Sequence, residues 1–306
     1  MIALLAPGQG SQAPGMLAPW LELPGTAERL AGWSEVAGLD LARLGTTADA
    51  DEIKDTAITQ PLIVAATLLA AGELAERVEV PADALVAGHS IGEFAAAVIA
   101  GVLGAEDAVR LAAVRGREMA KACELEPTGM AALVRGTEED ILARLAELDL
   151  VPANRNGAGQ IVAAGAKAAL EKLAAEPPAG SKAIALKVAG AFHTHYMAPA
   201  QEALRAHAAG VTTADATRTL LSNADGAVVT SGAEVLERLV AQVTSPVRWD
   251  SCMATMGERG VSAVVEFPPA GALVGLAKRE LKGVPTVALK TPADLDTVVE
   301  LIGSAE

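Results

Sequence analysis

Short unbroken apolar runs along the chain give way to longer stretches in which apolar positions recur every three or four residues. Residues 1–6 form the first run and read as a buried strand, and Pro7-Gly8-Gln9-Gly10-Ser11-Gln12 is a turn-rich loop at its end. A long helix is expected to follow Pro61, whose fixed φ suits a first turn, and to continue through Leu62-Ile63-Val64-Ala65-Ala66 towards Arg77. Residues 84–87 read as a second buried strand, Gly88-His89-Ser90-Ile91-Gly92 as a tight turn and 93–100 as a helix. Gly101 ends that helix, and 105–123 form the next.

From Gly129 the rhythm changes. Strand 130–134, helix 138–148, strands 150–153 and 160–164, helix 167–175 and strand 182–188 spell βαββαβ, the split unit of a ferredoxin-like subdomain. After it come helix 198–208, strand 219–222, helix 233–243, strand 263–266 and helix 271–281. Strands and helices alternating on both sides of the insert imply one mostly parallel sheet that is interrupted and then resumed. The fold class expected is α/β: an α/β-hydrolase-like large domain, residues 1–123 and 189–306, holding a ferredoxin-like subdomain at 124–188.

Composition sharpens this picture. The 306 residues suit one large domain with a smaller insert, and with 51% hydrophobic but only 2% aromatic residues the core must be built from Ala, Val, Leu and Ile. No apolar run reaches the ~18 residues of a membrane span, and the first residues lack the basic region of a signal peptide, so a cytoplasmic protein with no membrane association is expected. Cys123 and Cys252 sit in no metal-ligand spacing, so no structural metal or disulfide framework is expected. A net charge of −14 argues against a nucleic-acid partner, because each phosphate contact needs a local cation. Any anionic ligand must meet a local basic site.

Candidate chemistry centres on Gly88-x-Ser90-x-Gly92. Between a strand and a helix this is the nucleophile-elbow pattern: the turn is too tight for side chains at its flanks, so Ser90 Oγ is pushed out at the top of the sheet. The helix that follows aims its N-terminus at the same spot, where backbone N–H groups can hold an oxyanion. A serine hydroxyl needs a base. Of four histidines, His89 is expected to point away from the turn into packing, and His207 lies late in a helix beside Arg205. His193 and His195 remain, in a loop suited to a base, and composition does not choose between them.

Arg115 breaks a pattern. Ala108, Leu111, Ala112, Met119 and Ala122 share an apolar helix face with it, whereas Glu106, Arg110, Arg117 and Lys121 form a solvated stripe. A guanidinium on a buried face needs an anion. That anion is either an internal Asp or Glu, or a carboxylate carried by the acyl group itself.

These residues resemble the malonyl-CoA:acyl carrier protein transacylases of fatty acid and polyketide synthesis. The resemblance covers the whole length through Pro7-Gly8-Gln9-Gly10-Ser11-Gln12, Thr59-Gln60-Pro61, Gly88-His89-Ser90-Ile91-Gly92-Glu93, Val114-Arg115-Gly116, Ala153-Asn154-Arg155-Asn156, Ala191-Phe192-His193 and Ser245-Pro246-Val247-Arg248-Trp249. It implies Ser90 as nucleophile, His193 as base and the Gln242 carbonyl as the group that orients it. It further implies the backbone N–H groups of Gln9 and Ile91 as the oxyanion hole, Arg115 as the grip on the malonyl carboxylate, and Gln60 and Asn156 as polar residues around the site. Phe192 would crowd any α-branch on the acyl chain.

The implied partners are malonyl-CoA and acyl carrier protein, with no resident cofactor or metal and a monomeric enzyme. Arg117, Lys121 and Lys187 are candidates for a carrier-docking patch. Two other readings share some of these residues: a serine esterase or thioesterase that passes the acyl group to water, and a non-catalytic acyl-binding subunit.

Overall fold

The computed structural model describes residues 1–304. Strand β1 (Ile2–Ala6) is buried at all five positions. The reason is its place at the centre of a five-stranded sheet covered on both faces, which demands a continuous apolar run rather than an alternating one. Ala3 and Leu5 pack on one face with Trp249, Cys252 and Leu273, while Ile2 and Leu4 pack on the other with Trp20, Leu74 and Val298. Helices α1 (Thr26–Ala37), α2 (Leu41–Thr46) and α3 (Thr56–Ala75) lead to β2 (Leu85–Gly88), which lies parallel to β1 with Ala6 opposite Gly88. Both strands therefore end at the same edge. Helix α4 (Gly92–Ile99) leaves that edge, and α5 (Ala105–Cys123) follows after Gly101, whose φ of 82° lets the chain turn out of α4.

The smaller lobe runs β3 (Thr128–Val134), α6 (Glu138–Glu147), β4 (Val151–Gly157), β5 (Gln160–Ala166), α7 (Lys167–Ala175), β6 (Lys182–Ala185). Its strands lie antiparallel in the order β6-β3-β5-β4, the ferredoxin-like arrangement, over a core that includes Leu133, Ile141, Leu145, Ile161 and Leu173. The chain then returns through α8 (Ala198–Ala208), β7 (Thr219–Leu220), α9 (Gly232–Ala241), β8 (Val247–Arg248), α10 (Trp249–Glu258), β9 (Ala263–Glu266), α11 (Ala272–Glu280), β10 (Thr286–Ala288) and α12 (Leu295–Ser304). The large sheet is parallel throughout in the order β10-β9-β1-β2-β7. β8, from outside the 124–188 span, adds parallel to β4 with Asn154 opposite Val247, so the second sheet is mixed and stitched to the large lobe.

Three local expectations are corrected. Helix α3 begins at Thr56 and Pro61 lies inside it, because the Asp55 carboxylate accepts the Ala57 N–H at 2.8 Å and caps the helix upstream. At 20 residues and a mean hydropathy of 1.5, α3 is also long and apolar enough to cross a membrane, contrary to the reading that no run reaches that length. Burial of 78% of that window within the protein makes it a core helix, apolar all round because it is surrounded. Finally, β6 stops at Ala185 rather than at 188, and the chain leaves the sheet so that Leu186 and Val188 line the cleft between the lobes.

Candidate functional site

The bend after β2 crosses so close to itself that both glycines are required. A Cβ on Gly88 would lie 2.1 Å from the Gly92 carbonyl carbon, and one on Gly92 would lie 2.3 Å from the Ala6 oxygen. Ser90 between them takes a φ of 53°, a left-handed value unusual for a residue with a side chain. Asn223, just past β7, holds the bend from below: its Oδ1 accepts the Ser90 N–H at 2.8 Å and its Nδ2 donates to the Gly88 carbonyl at 2.8 Å. This leaves Ser90 Oγ facing a cleft of about 490 Å³ between the lobes.

His193 arrives from the loop between β6 and α8, also left-handed at φ 61°. Its Nε2 lies 2.8 Å from Ser90 Oγ, and its Nδ1 lies 2.9 Å from the main-chain oxygen of Gln242, just beyond α9. A carbonyl only accepts, so Nδ1 carries the proton and Nε2 presents its lone pair to the serine hydroxyl. Burial, and then the cation of Arg115, push the imidazole down to about 3, so it is neutral and able to accept a proton.

Arg115 is 1% exposed and forms no ion pair among the described residues. Its guanidinium is aimed by neutral groups: Nη1 donates to Gln60 Oε1 at 2.6 Å, and Nη2 to Gln242 Oε1 at 2.9 Å and to Ser90 Oγ at 3.3 Å. Its Nε is buried without a partner. Burial lowers its pKa to about 10, which still leaves a cation at neutral pH. The site therefore holds a buried positive charge beside the serine, with a donor to spare and no internal carboxylate bonded to it.

Of the other residues singled out in the sequence, Gln9, Gln60, Asn156 and Phe192 all line this cleft. The backbone N–H groups of Gln9 and Ile91 make no hydrogen bond among the described residues. The Gln9 side chain is held by a bond to Thr56 Oγ1 at 3.1 Å. His89 does not point away from the cleft: it packs against Trp249 but lines the same cavity, with Nε2 2.9 Å from Asn156 Oδ1. His195 is exposed against Tyr196, and His207 bonds the Ala203 carbonyl of its own helix, so the His-x-His pair is split. Arg117 and Lys121 both lie 3.0 Å from Glu118, which takes up much of their charge, whereas Lys187 is exposed between the cleft-lining Leu186 and Val188, with Asp51 within reach of its charge.

Two residues at the site were given no role in the sequence. Asn223 has no local signature. Glu93 does: a carboxylate on the otherwise apolar first turns of α4 is the same kind of interruption that singled out Arg115.

Residues 4–299 match the acyl transferase domain. The chain belongs to the acyl transferase family. A malonyl CoA-acyl carrier protein transacylase of Mycobacterium tuberculosis is 64% identical over 302 residues, covering 98% of this chain and all of that protein. Among solved structures, the malonyl transacylase of M. tuberculosis superposes with a TM-score of 0.95 at 63% identity, covering 98% of this chain and 99% of that one. A malonyl-transacylase in complex with its type II polyketide acyl-carrier protein gives 0.91 at 31% identity, covering 98% and 99%. The two-lobed α/β fold of this acyl transferase is thus shared across its relatives.

Proposed function

We propose that this acyl transferase moves a malonyl group from malonyl-CoA to the phosphopantetheine thiol of acyl carrier protein, through an ester on Ser90. The observation that carries the proposal is the unpaired Arg115 guanidinium 3.3 Å from Ser90 Oγ, which suits an acyl group that brings its own carboxylate. The names of the relatives point the same way.

In the first half-reaction Ser90 Oγ attacks the thioester carbon as His193 Nε2 takes its proton. The oxyanion falls between the free N–H groups of Gln9 and Ile91. The C–S bond then breaks, His193 returns the proton to the departing sulfur, and malonyl-Ser90 remains. The carrier thiol enters, gives its proton to His193, and the steps run in reverse. Gln242 holds the histidine through its carbonyl, Gln60 steadies Arg115, Asn156 lines the acyl side, and Phe192 limits bulk at the α-carbon. The reaction needs no resident cofactor, because thioester and phosphopantetheine arrive with the two substrates. All its groups lie on one chain, so a monomer suffices, and the cytoplasm supplies both substrates.

Intact-protein mass spectrometry after malonyl-CoA tests this. A malonyl adduct is expected on the parent, none on Ser90→Ala, and a much slower one on His193→Ala. No adduct on the parent, or free malonate appearing faster than malonyl-carrier, would overturn it.

A further inference from the structure

Resting on the reading above, we propose that Glu93 is a positioning residue that holds the nucleophile bend in register with the groups that carry the histidine and the arginine. It sits in the first turn of α4 and is 6% exposed. Its Oε1 accepts the backbone N–H of Asn223 at 2.7 Å, and Asn223 in turn clamps the bend on both sides of His89. Its Oε2 accepts from Gln242 Nε2, which also donates to the Ser90 carbonyl at 3.1 Å. One carboxylate therefore stands a single residue away from Ser90, His193 and Arg115.

The chemistry of the Gln242 amide gives Glu93 its leverage. An amide has one donating end and one accepting end. The Glu93 carboxylate and the Ser90 carbonyl offer only lone pairs, so they fix the NH2 towards themselves. Oε1 is then left for Arg115, whose guanidinium can only donate. With that side chain locked, the Gln242 main chain is held where its carbonyl meets His193 Nδ1.

Protonation of Glu93 adds an O–H donor and removes an acceptor from this network. The charged groups acting on it are Arg115 from α5 and Arg238 from α9, with the neutral Cys252 thiol nearby on α10. Burial raises the carboxyl to about 7 against the pull of these cations and its two donors. A fall in pH through that value loosens the network while His193 is still neutral.

The experiment is rapid-quench acylation by malonyl-CoA from pH 5.5 to 9 on the parent, Glu93→Gln, Glu93→Asp and Asn223→Ala. Glu93→Gln keeps the shape and removes the ionisation. It is expected to lower kcat by about 30-fold or more with KM changed less than about threefold, and to flatten the tenfold loss that a one-proton titration gives the parent between pH 8 and 6. Glu93→Asp restores the charge and with it the acid limb, at a reduced kcat. Asn223→Ala lowers kcat and keeps the limb, so the assignment stays testable should Glu93→Gln not fold. A Glu93→Gln enzyme at parental kcat, or one that keeps the parental acid limb, would overturn the inference alone. A parent that never becomes acylated would instead overturn the reading on which it rests.

Discussion

Replacing Arg115 by alanine should invert the acyl preference rather than merely weaken the enzyme. In the parent, a malonyl carboxylate would meet a guanidinium held by Gln60 and Gln242 and bonded to no carboxylate. Hydrogen bonds to a charged group are worth about 1.5–3 kcal/mol, or roughly 10- to 150-fold at tenfold per 1.4 kcal/mol, and Arg115→Ala should cost malonyl transfer that much in kcat/KM. Acetyl transfer should rise, for two reasons. An acetyl group leaves the buried cation unmatched, and that same cation is one cause of the depressed basicity of His193. Removing it makes the imidazolium of the transition state easier to form. The assay is competitive labelling of Ser90 by equal malonyl-CoA and acetyl-CoA, read as the ratio of the two adducts by intact mass. An unchanged ratio, or equal losses of both adducts, would refute the reasoning, because it would reduce Arg115 to a packing element. Arg115→Met, which keeps the volume without the charge, should show the same inversion without loss of thermal stability.

Other perturbations probe the frame around that charge. Gly92→Ala puts a Cβ 2.3 Å from the backbone oxygen of Ala6, which cannot retreat from a central strand; a loss of more than about 3 kcal/mol in chemical denaturation is expected, with no acylation of Ser90. Phe192→Leu opens the cleft at the acyl position and should raise the use of methylmalonyl-CoA relative to malonyl-CoA by about tenfold in direct competition. Lys187→Glu reverses an exposed charge between the cleft-lining Leu186 and Val188 and should raise KM for an acidic carrier protein by about three- to tenfold, more at low salt, with KM for malonyl-CoA unchanged. Arg117→Glu should do less, since Glu118 already takes up its charge.

The elements that could be read from the sequence were those whose pattern is set locally. A buried parallel strand is an apolar run, the elbow needs its two glycines, and a cation on an apolar helix face is visible by period alone, so β1, β2, the bend at Ser90 and the place of Arg115 follow from short windows. The start of α3 did not, because Asp55 upstream outweighed the signal of Pro61. The strand β8 was invisible for another reason: it has two residues, and only its partner β4 in the other lobe makes it a strand. The choice of His193 over His195 also needed more than composition, since the two stand two residues apart and differ in which of them the Gln242 carbonyl meets. Asn223 was out of reach altogether. Its role depends on lying beneath a bend more than a hundred residues earlier in the chain.

The same buried cation explains why a carbonyl, and no carboxylate, stands behind His193. In a serine–histidine pair an aspartate at that position would stabilise the imidazolium more strongly than a neutral oxygen can. Here, however, the residue whose carbonyl meets His193 Nδ1 also places its side chain 2.9 Å from Arg115 Nη2. A carboxylate so close would pair with the guanidinium, as unlike charges in a low dielectric must, and occupy the place that the proposed function gives to the acyl carboxylate. Glu93, the acid that acts on Arg115, is kept from bonding it by the interposed Gln242 amide. The site thus gives up some basicity at the histidine to keep its cation unspent. Under the proposed function, a substrate that arrives with a negative charge would restore part of that loss by cancelling the field that holds His193 down, so that binding the right acyl group and activating the base would become one event.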